Sequence, residues 1–309
     1  MIKKLVFTAA LLAPGLAYAA TPVPSPASAA GFTKLAFESD FTQPFYANKA
    51  NWLDCGGATS PQWFQGYIGV EYTAHAPCSN IGQGQDPAFP TGPAVLNLHW
   101  DDTQYQGAPG VIGTMIEPTD TAGHNGPFWT FYYLEIVARF TPLSLANFYS
   151  LWSVAQNGFS IEFDGLEVAS SSTDSNACIH NDDSGASQCI WFQAQPPTFP
   201  GGIDYTQYHT YAWRVTSDGS TDVYWCMYID GATQGCQSVS PTADQIAGGS
   251  TVATTIQLLN TDRGASCPGR NAPCGVTGDM YVKSVRVWTC PAWSIGNPLT
   301  HCYSSRPNP

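Results

Sequence analysis

An all-β domain of many short strands is what this sequence predicts, and three observations carry the prediction. Gly, Pro, Thr and Ser recur at turn-like positions, aromatics are frequent with 10 Trp, 15 Tyr and 15 Phe, and no stretch keeps a helical period over several turns. About 290 residues remain once a leader is set aside, enough for one large β domain or two small ones. Neither an internal repeat nor a long linker divides them, so one domain is expected.

Residues 1–20 read as a secretory signal peptide. Met1-Ile2-Lys3-Lys4 is a basic start, an apolar run continues to Leu16, and Ala17-Tyr18-Ala19-Ala20 supplies a small-x-small cleavage site. Cleavage is expected after Ala19 or Ala20, and no other apolar run reaches the length of a membrane span. Thr21 to Ala30 is rich in Pro, Ser and Ala and reads as a short disordered tether. Residues 31–309 then form the domain.

Lys34 to Phe41 is the first strand candidate. Asn51 to Gly92 is loop-like, broken by Pro61, Pro77, Pro87 and Pro90. Its Trp52, Trp63 and Phe64 are candidate binding residues on an exposed loop, with a satellite core under the loop as the plainer alternative. Ala94–Trp100 and Val111–Glu117 are further strands, and Trp129–Phe140 is a long one with aromatics on both faces. Tyr133 and Glu135 on it could face a cleft, although structural roles are favoured. Phe148–Val154 follows, and Asn157-Gly158 is the best hairpin turn in the chain. Trp152 could reach a cleft or the core, since no register is yet fixed.

Ser160-Ile161-Glu162-Phe163-Asp164-Gly165-Leu166-Glu167-Val168 comes next, three carboxylates among apolar residues in a chain with only 11% charged residues. As a strand it places Glu162 and Asp164 on one face, opposite Ile161 and Phe163. Glu167, five residues beyond Glu162, has the wrong parity. One extra residue in a β-bulge at Gly165-Leu166 restores it, leaving Val168 with the apolar set. Clustered carboxylates repel one another, and folds keep them mainly where chemistry uses them. A solvated strand is the alternative, but it would more often mix Lys, Thr and Ser with its acids.

Beyond this strand, Cys178-Ile179-His180 and Cys189-Ile190-Trp191 read as two arms of a disulfide-closed hairpin turning at Asn181 to Gly185. Tyr208–Ala212, Val223–Trp225 and Tyr228–Gly231 follow, the last with a strong Asp230-Gly231 turn signal. Met280–Trp288 closes the domain. Ten cysteines in an exported chain fit five bridges. Connectivity does not follow from sequence, but their order suggests local pairs: Cys55 with Cys78, Cys178 with Cys189, Cys226 with Cys236, Cys267 with Cys274, and Cys290 with Cys302. A metal cluster is disfavoured, because Cys-x-x-Cys, His-x-His and His-Glu-x-x-His spacings are all missing.

Glu162-Phe163-Asp164-Gly165-Leu166-Glu167 resembles the Glu-x-Asp-x-x-Glu signature of glycoside hydrolase family 16, the laminarinase and agarase group. Other strands resemble that family in order: the Phe37 to Phe41 opening, Tyr132 to Arg139, the His209-Thr210-Tyr211 strand, the Tyr228 to Gly231 hairpin, and the closing Met280–Trp288. Two departures stand out. Gly158-Phe159-Ser160 occupies the place of a Trp-Pro pair common before the first Glu, and Lys283-Ser284 replaces an Asp-Tyr pair. The resemblance implies a concanavalin A-like β-jelly-roll sandwich of two antiparallel sheets with the bulged strand as active site. It implies Glu162 as nucleophile, Glu167 as general acid/base, and Asp164 hydrogen-bonded to the nucleophile. His180 falls where the family commonly has a histidine beside the acids. Trp152, Trp191 and Trp63 are the stacking candidates.

Retention at a β-glycosidic bond requires two carboxyl groups about 5 to 5.5 Å apart. Residues four apart on a flat strand face are about 13 Å apart at Cα, so the bulge must draw the longer Glu162 and Glu167 side chains together. An acid catalyst near neutral pH needs a raised proton affinity, which neighbouring carboxylates supply. Removing residues 1–20 takes away two of eleven basic residues and none of twenty-three acids, moving net charge from -12 to -14, and leaves only Lys34, Lys49 and Lys283 as lysines. Such a chain does not suit nucleic acid, anionic lipid, sulfated polysaccharide or uronates. A neutral polysaccharide is the expected partner, β-1,3- or mixed-linked glucan before agarose, and the protein is expected to act as a monomer. Lectin-like binding without cleavage, a polysaccharide lyase and transglycosylation on the same residues are the alternatives. No cofactor is expected; some relatives carry calcium on the convex side, but no dense oxygen-ligand loop is evident here.

Overall fold

A computed structural model of the chain describes residues 21–42, 63–65, 80–101, 113–118, 129–142, 147–155, 161–169, 174–181, 185–193, 198–199, 203–217, 222–240, 254–262 and 277–292. A helix, α1 (Ser25–Ala29), precedes seventeen strands: β1 (Lys34–Ser39), β2 (Trp63–Gln65), β3 (Ile81–Gln85), β4 (Ala94–Asp101), β5 (Gly113–Pro118), β6 (Tyr132–Phe140), β7 (Asn147–Ala155), β8 (Glu162–Ala169), β9 (Asp174–Asn181), β10 (Ala186–Gln193), β11 (Thr198–Phe199), β12 (Ile203–Asp204), β13 (His209–Ser217), β14 (Val223–Ile229), β15 (Ala232–Val239), β16 (Thr254–Asp262) and β17 (Thr277–Thr289).

Two large antiparallel sheets make a jelly-roll sandwich. One runs β15-β14-β13-β6-β17-β4-β3, with β1 also paired to β17; the other runs β10-β9-β8-β7-β16-β5-β2. Period-two alternation sorts each strand between an inner and an outer face. On β6 the inner set is Tyr132, Leu134, Ile136, Ala138 and Phe140, all buried in the core. Leu134 pairs with Trp213 of β13, and Trp213 reaches across the sandwich to β8. Tyr133 and Glu135 therefore lie on the far side of their sheet, where Glu135 pairs with Arg286 of β17 and Tyr133 packs on Tyr228 and Trp288. Neither stands with the acids of β8. The same outer face holds Asp86, which accepts hydrogen bonds from the buried Arg139 guanidinium and from the Tyr208 hydroxyl and so fastens the β3–β4 turn. The ammonium of Lys283 sits 3.6 Å from the Tyr208 ring centroid, at a point where the register of β17 slips between Val282 and Ser284.

Several expectations change. The Thr21–Ala30 stretch is ordered where a loose tether was expected. Pro26 in the first turn suits a helix start, and Gly31 at φ 80° ends it, with Phe32 N–H bonded to Ala27 C=O and Gly31 N–H to Ser28 C=O. Ala27 and Phe32 are wholly buried, and burying them is what fixes a Pro- and Ser-rich segment that composition alone reads as floppy. The long loop from Asn51 contains two strands, β2 and β3. β3 has little strand propensity, and its pairing with β4 along Ile81 to Gln85 supplies the order. The strand expected from Trp129 begins at Tyr132, with Trp129 in an isolated bridge to Thr254 that links the two sheets.

Two of the five sequential cysteine pairs are formed, Cys178–Cys189 across β9–β10 and Cys226–Cys236 across β14–β15, with Cα atoms 4.1 and 4.0 Å apart. Cys290 is also disulfide-bonded. Its expected partner Cys302, together with Cys55, Cys78, Cys267 and Cys274, lies outside the described residues, as do the signal peptide and the Asn157-Gly158 turn. The Asp230-Gly231 turn has both residues at positive φ, 49° and 79°, as a two-residue hairpin of this type requires. Among the described residues no helix is long and apolar enough to cross a membrane.

Candidate active site

The three acids lie on β8, and the strand is bulged between the second and third of them. Against β7, Leu151 pairs with Leu166 but Trp152 pairs with Asp164. Against β9, Asp164 pairs with Cys178 while Glu167 pairs with Asn176, three steps on one strand against two on the other. The extra residue corrects the parity of Glu167. Ile161, Phe163, Leu166 and Val168 all join the buried core, which leaves Glu162, Asp164 and Glu167 on the opposite face. Glu162 and Glu167 are half-buried, and Asp164 is 4% exposed.

Gly165 is at the bulge for lack of room rather than for backbone freedom, since its φ is not positive. A Cβ there would lie 2.2 Å from two carbons of the Trp213 indole and 2.8 Å from a third. The wholly buried Trp213 thus presses on the kink from the other sheet. Sequence reasoning missed this contact, and no local pattern points to it.

Register then orders the face into three cross-strand rungs. Val154, Glu162, His180 and Ser187 form one; Trp152, Asp164, Cys178 and Cys189 the next; Ser150, Glu167, Asn176 and Trp191 the third. Each rung carries one acid, and none carries a lysine or arginine. Trp152, 6% exposed, stands beside Asp164, which answers the question of its face. Trp191 holds its register position on the rung of Glu167. Trp63 belongs to the edge strand β2, paired with Pro118 and four strands from β8. The side chains of Trp191 and Trp63 lie outside the described residues.

His180 and Asp164 join neighbouring rungs. The Nε2 of His180 is 2.9 Å from Oδ2 of Asp164, and its Nδ1 is 2.9 Å from Oγ of Ser187. A buried carboxylate must be partnered, and the imidazole N–H supplies that partner, a charge-assisted bond worth about 1.5–3 kcal/mol. Ser187 went unnoticed in the sequence, yet a signal existed. If Cys178 pairs with Cys189 in an antiparallel hairpin, the residues two further along each arm, His180 and Ser187, must also pair.

Ligand atoms of Asp164, Cys178 and His180 lie within 4.8 Å of one another. The Cys178 sulfur is bonded to Cys189, so the group offers no thiolate to a metal. What the arrangement offers chemically is a set of carboxylates of graded exposure on one face, able to attack, to donate a proton and to hold negative charge beside them.

No protein-family model matches this chain, and no curated protein matches it significantly. Solved structures do match. A GlcNAcα1-4Gal-releasing endo-β-galactosidase from Clostridium perfringens aligns with a TM-score of 0.56 at 15% identity, over 86% of this chain and 64% of its own. A non-specific endo-β-1,3(4)-glucanase from family GH16 aligns at 0.55 and 17% identity, over 83% of this chain and 91% of its own. The catalytic domain of an endo-1,3-β-glucanase (laminarinase) from Thermotoga petrophila aligns at 0.53 and 14%, over 84% and 98%. The chain thus spans under two thirds of the galactosidase and nearly all of the two glucanases. It has the sandwich fold of family 16 glycoside hydrolases.

Proposed function

We propose that this chain, built on the family 16 fold, is an exported, retaining endo-glycoside hydrolase acting on a neutral β-linked polysaccharide. The observation that carries the reading is the bulge at Gly165, which puts Glu162, Asp164 and Glu167 on one face of β8. Glu162 attacks the anomeric carbon and Glu167 protonates the departing oxygen, then activates the water that releases the glycosyl group. Asp164, hydrogen-bonded to His180, lies between the two glutamates on the rung that separates theirs.

Substrate class follows from charge. The three rungs bear acids and neither lysine nor arginine, so an anionic glycan would meet repulsion that a neutral one escapes. β-1,3- or mixed-linked glucan is the preferred substrate, and the similar structures include enzymes named for such glucans. Trp152 and Trp191, on the rungs of Asp164 and Glu167, are the nearest candidates to stack on sugar rings.

The test is reducing-sugar release from a panel of purified neutral and anionic polysaccharides by the parent, Glu162→Gln and Glu167→Gln proteins. Each substitution lowers turnover by about 10³-fold or more while circular dichroism and thermal melting stay at the parent values, and the first product formed has the β anomeric configuration. Either variant with parental activity rejects the assignment. Glycan binding without any product identifies a lectin-like sandwich instead.

A further inference from the structure

We propose that Ser187 is a positioning residue for the acid cluster: its hydroxyl donates to Nδ1 of His180 and so holds that ring as the Nε2–H tautomer, aimed at Asp164. The inference rests on the catalytic reading of Glu162, Asp164 and Glu167.

An ionised carboxylate only accepts hydrogen bonds, so the His180 nitrogen 2.9 Å from Asp164 must carry a hydrogen. A neutral imidazole has one N–H. Its Nδ1 is then a bare lone pair, and the group 2.9 Å from it is the Ser187 hydroxyl, which can turn its hydrogen inward. Which nitrogen is protonated is set by the bond the other one makes. Without Ser187 the Nδ1–H tautomer becomes accessible, and it would point the Nε2 lone pair at the carboxylate. The ring must then rotate away, and Asp164, 4% exposed, loses the donor that orients it between the two glutamates.

The hairpin suits this task. Cys178–Cys189 fixes the β9–β10 pairing one rung away, so Ser187 cannot slip out of line with His180. Ser187 itself is on an exposed edge, where replacing its hydroxyl disturbs little packing.

Heteronuclear NMR of the imidazole nitrogens in the intact protein at neutral pH reads the tautomer directly, with the His180 signals identified by their loss in His180→Gln. The parent shows Nε2–H with an accepting Nδ1, Ser187→Ala shows a mixture of tautomers, and Ser187→Thr restores the parent pattern. On the hydrolysed glycan, Ser187→Ala lowers kcat about tenfold with little change in KM, as expected for loss of orientation rather than binding, and Ser187→Thr recovers it. Melting temperatures stay within about 2 °C of each other. A doubly protonated or Nδ1–H ring in the parent, or an unchanged tautomer in Ser187→Ala, overturns the proposal. A chain that hydrolyses none of the glycans overturns the catalytic reading, while the ring tautomer still answers for Ser187.

Discussion

Replacing Gly165 with alanine tests the link between sandwich packing and the acid face. The added methyl would stand 2.2 Å from two indole carbons of Trp213, where carbon atoms ordinarily rest about 3.5–4.0 Å apart. Trp213 has little freedom to withdraw. It is wholly buried, and its Nε1 donates to the Tyr132 hydroxyl at 3.5 Å, which lies 2.8 Å from Thr254 Oγ1. Overfilling a packed core costs about 1–3 kcal/mol, and an overlap this deep belongs at the upper end, near 3 kcal/mol. At about 2–4 °C per kcal/mol, melting falls by about 6–12 °C. If the strand yields instead of the indole, the kink flattens and Glu167 turns from its neighbours, so the proposed hydrolysis falls further than stability. Urea unfolding of Gly165→Ala, Trp213→Leu and the double variant measures the coupling. Leucine makes room for the methyl, so the double variant is more stable than the sum of the singles by about 1 kcal/mol or more. Strict additivity, or a Gly165→Ala midpoint equal to the parent's, would refute the reasoning.

Two pH-linked outcomes follow from buried groups on the other sheet. Burial raises the Glu135 carboxyl above its usual range, more than Arg286 and the Tyr133 hydroxyl lower it, so its favourable contribution is present at acid pH and lost as pH rises through the folded pKa. Glu135→Gln therefore raises the melting temperature near neutral pH and leaves it unchanged below the carboxylate range; equal effects at both pH values would contradict this. Burial, with the charge of Asp279, pushes the Tyr281 hydroxyl up to about 12 from 10.0, and burial moves Tyr211 upward as well. Their support is complete below the free-tyrosine value and lost as pH climbs through the folded one. A tyrosinate absorbance titration thus shows a fraction that ionises only as the fold is lost, and a single transition at the free value in folded protein would count against it.

The kink itself was legible from three acids whose spacing cannot share a face on a flat strand, with a glycine between them. The reason for the glycine was not legible, because Trp213 is far along the chain and belongs to the other sheet. The face of Trp152 depended on register, and register depended on the kink. Ser187 could have been found by counting back from the cysteine pair. The segment around Ala27 was misread because a five-residue helix has no period to detect, and its anchors, one alanine and one phenylalanine, look unremarkable among Pro and Ser. β3 was missed because glycine and glutamine alternate in it, and only the partner strand makes that run extended.

The short helix ahead of β1 belongs to the folded core. Ala27 lodges its methyl group in the interior, on a helix packed against β6. A cut after Ala30 would pull that plug from its socket. The segment ahead of β1 is thus not a spare end to be trimmed at will; it is the outermost stitch in the hydrophobic lining of the molecule.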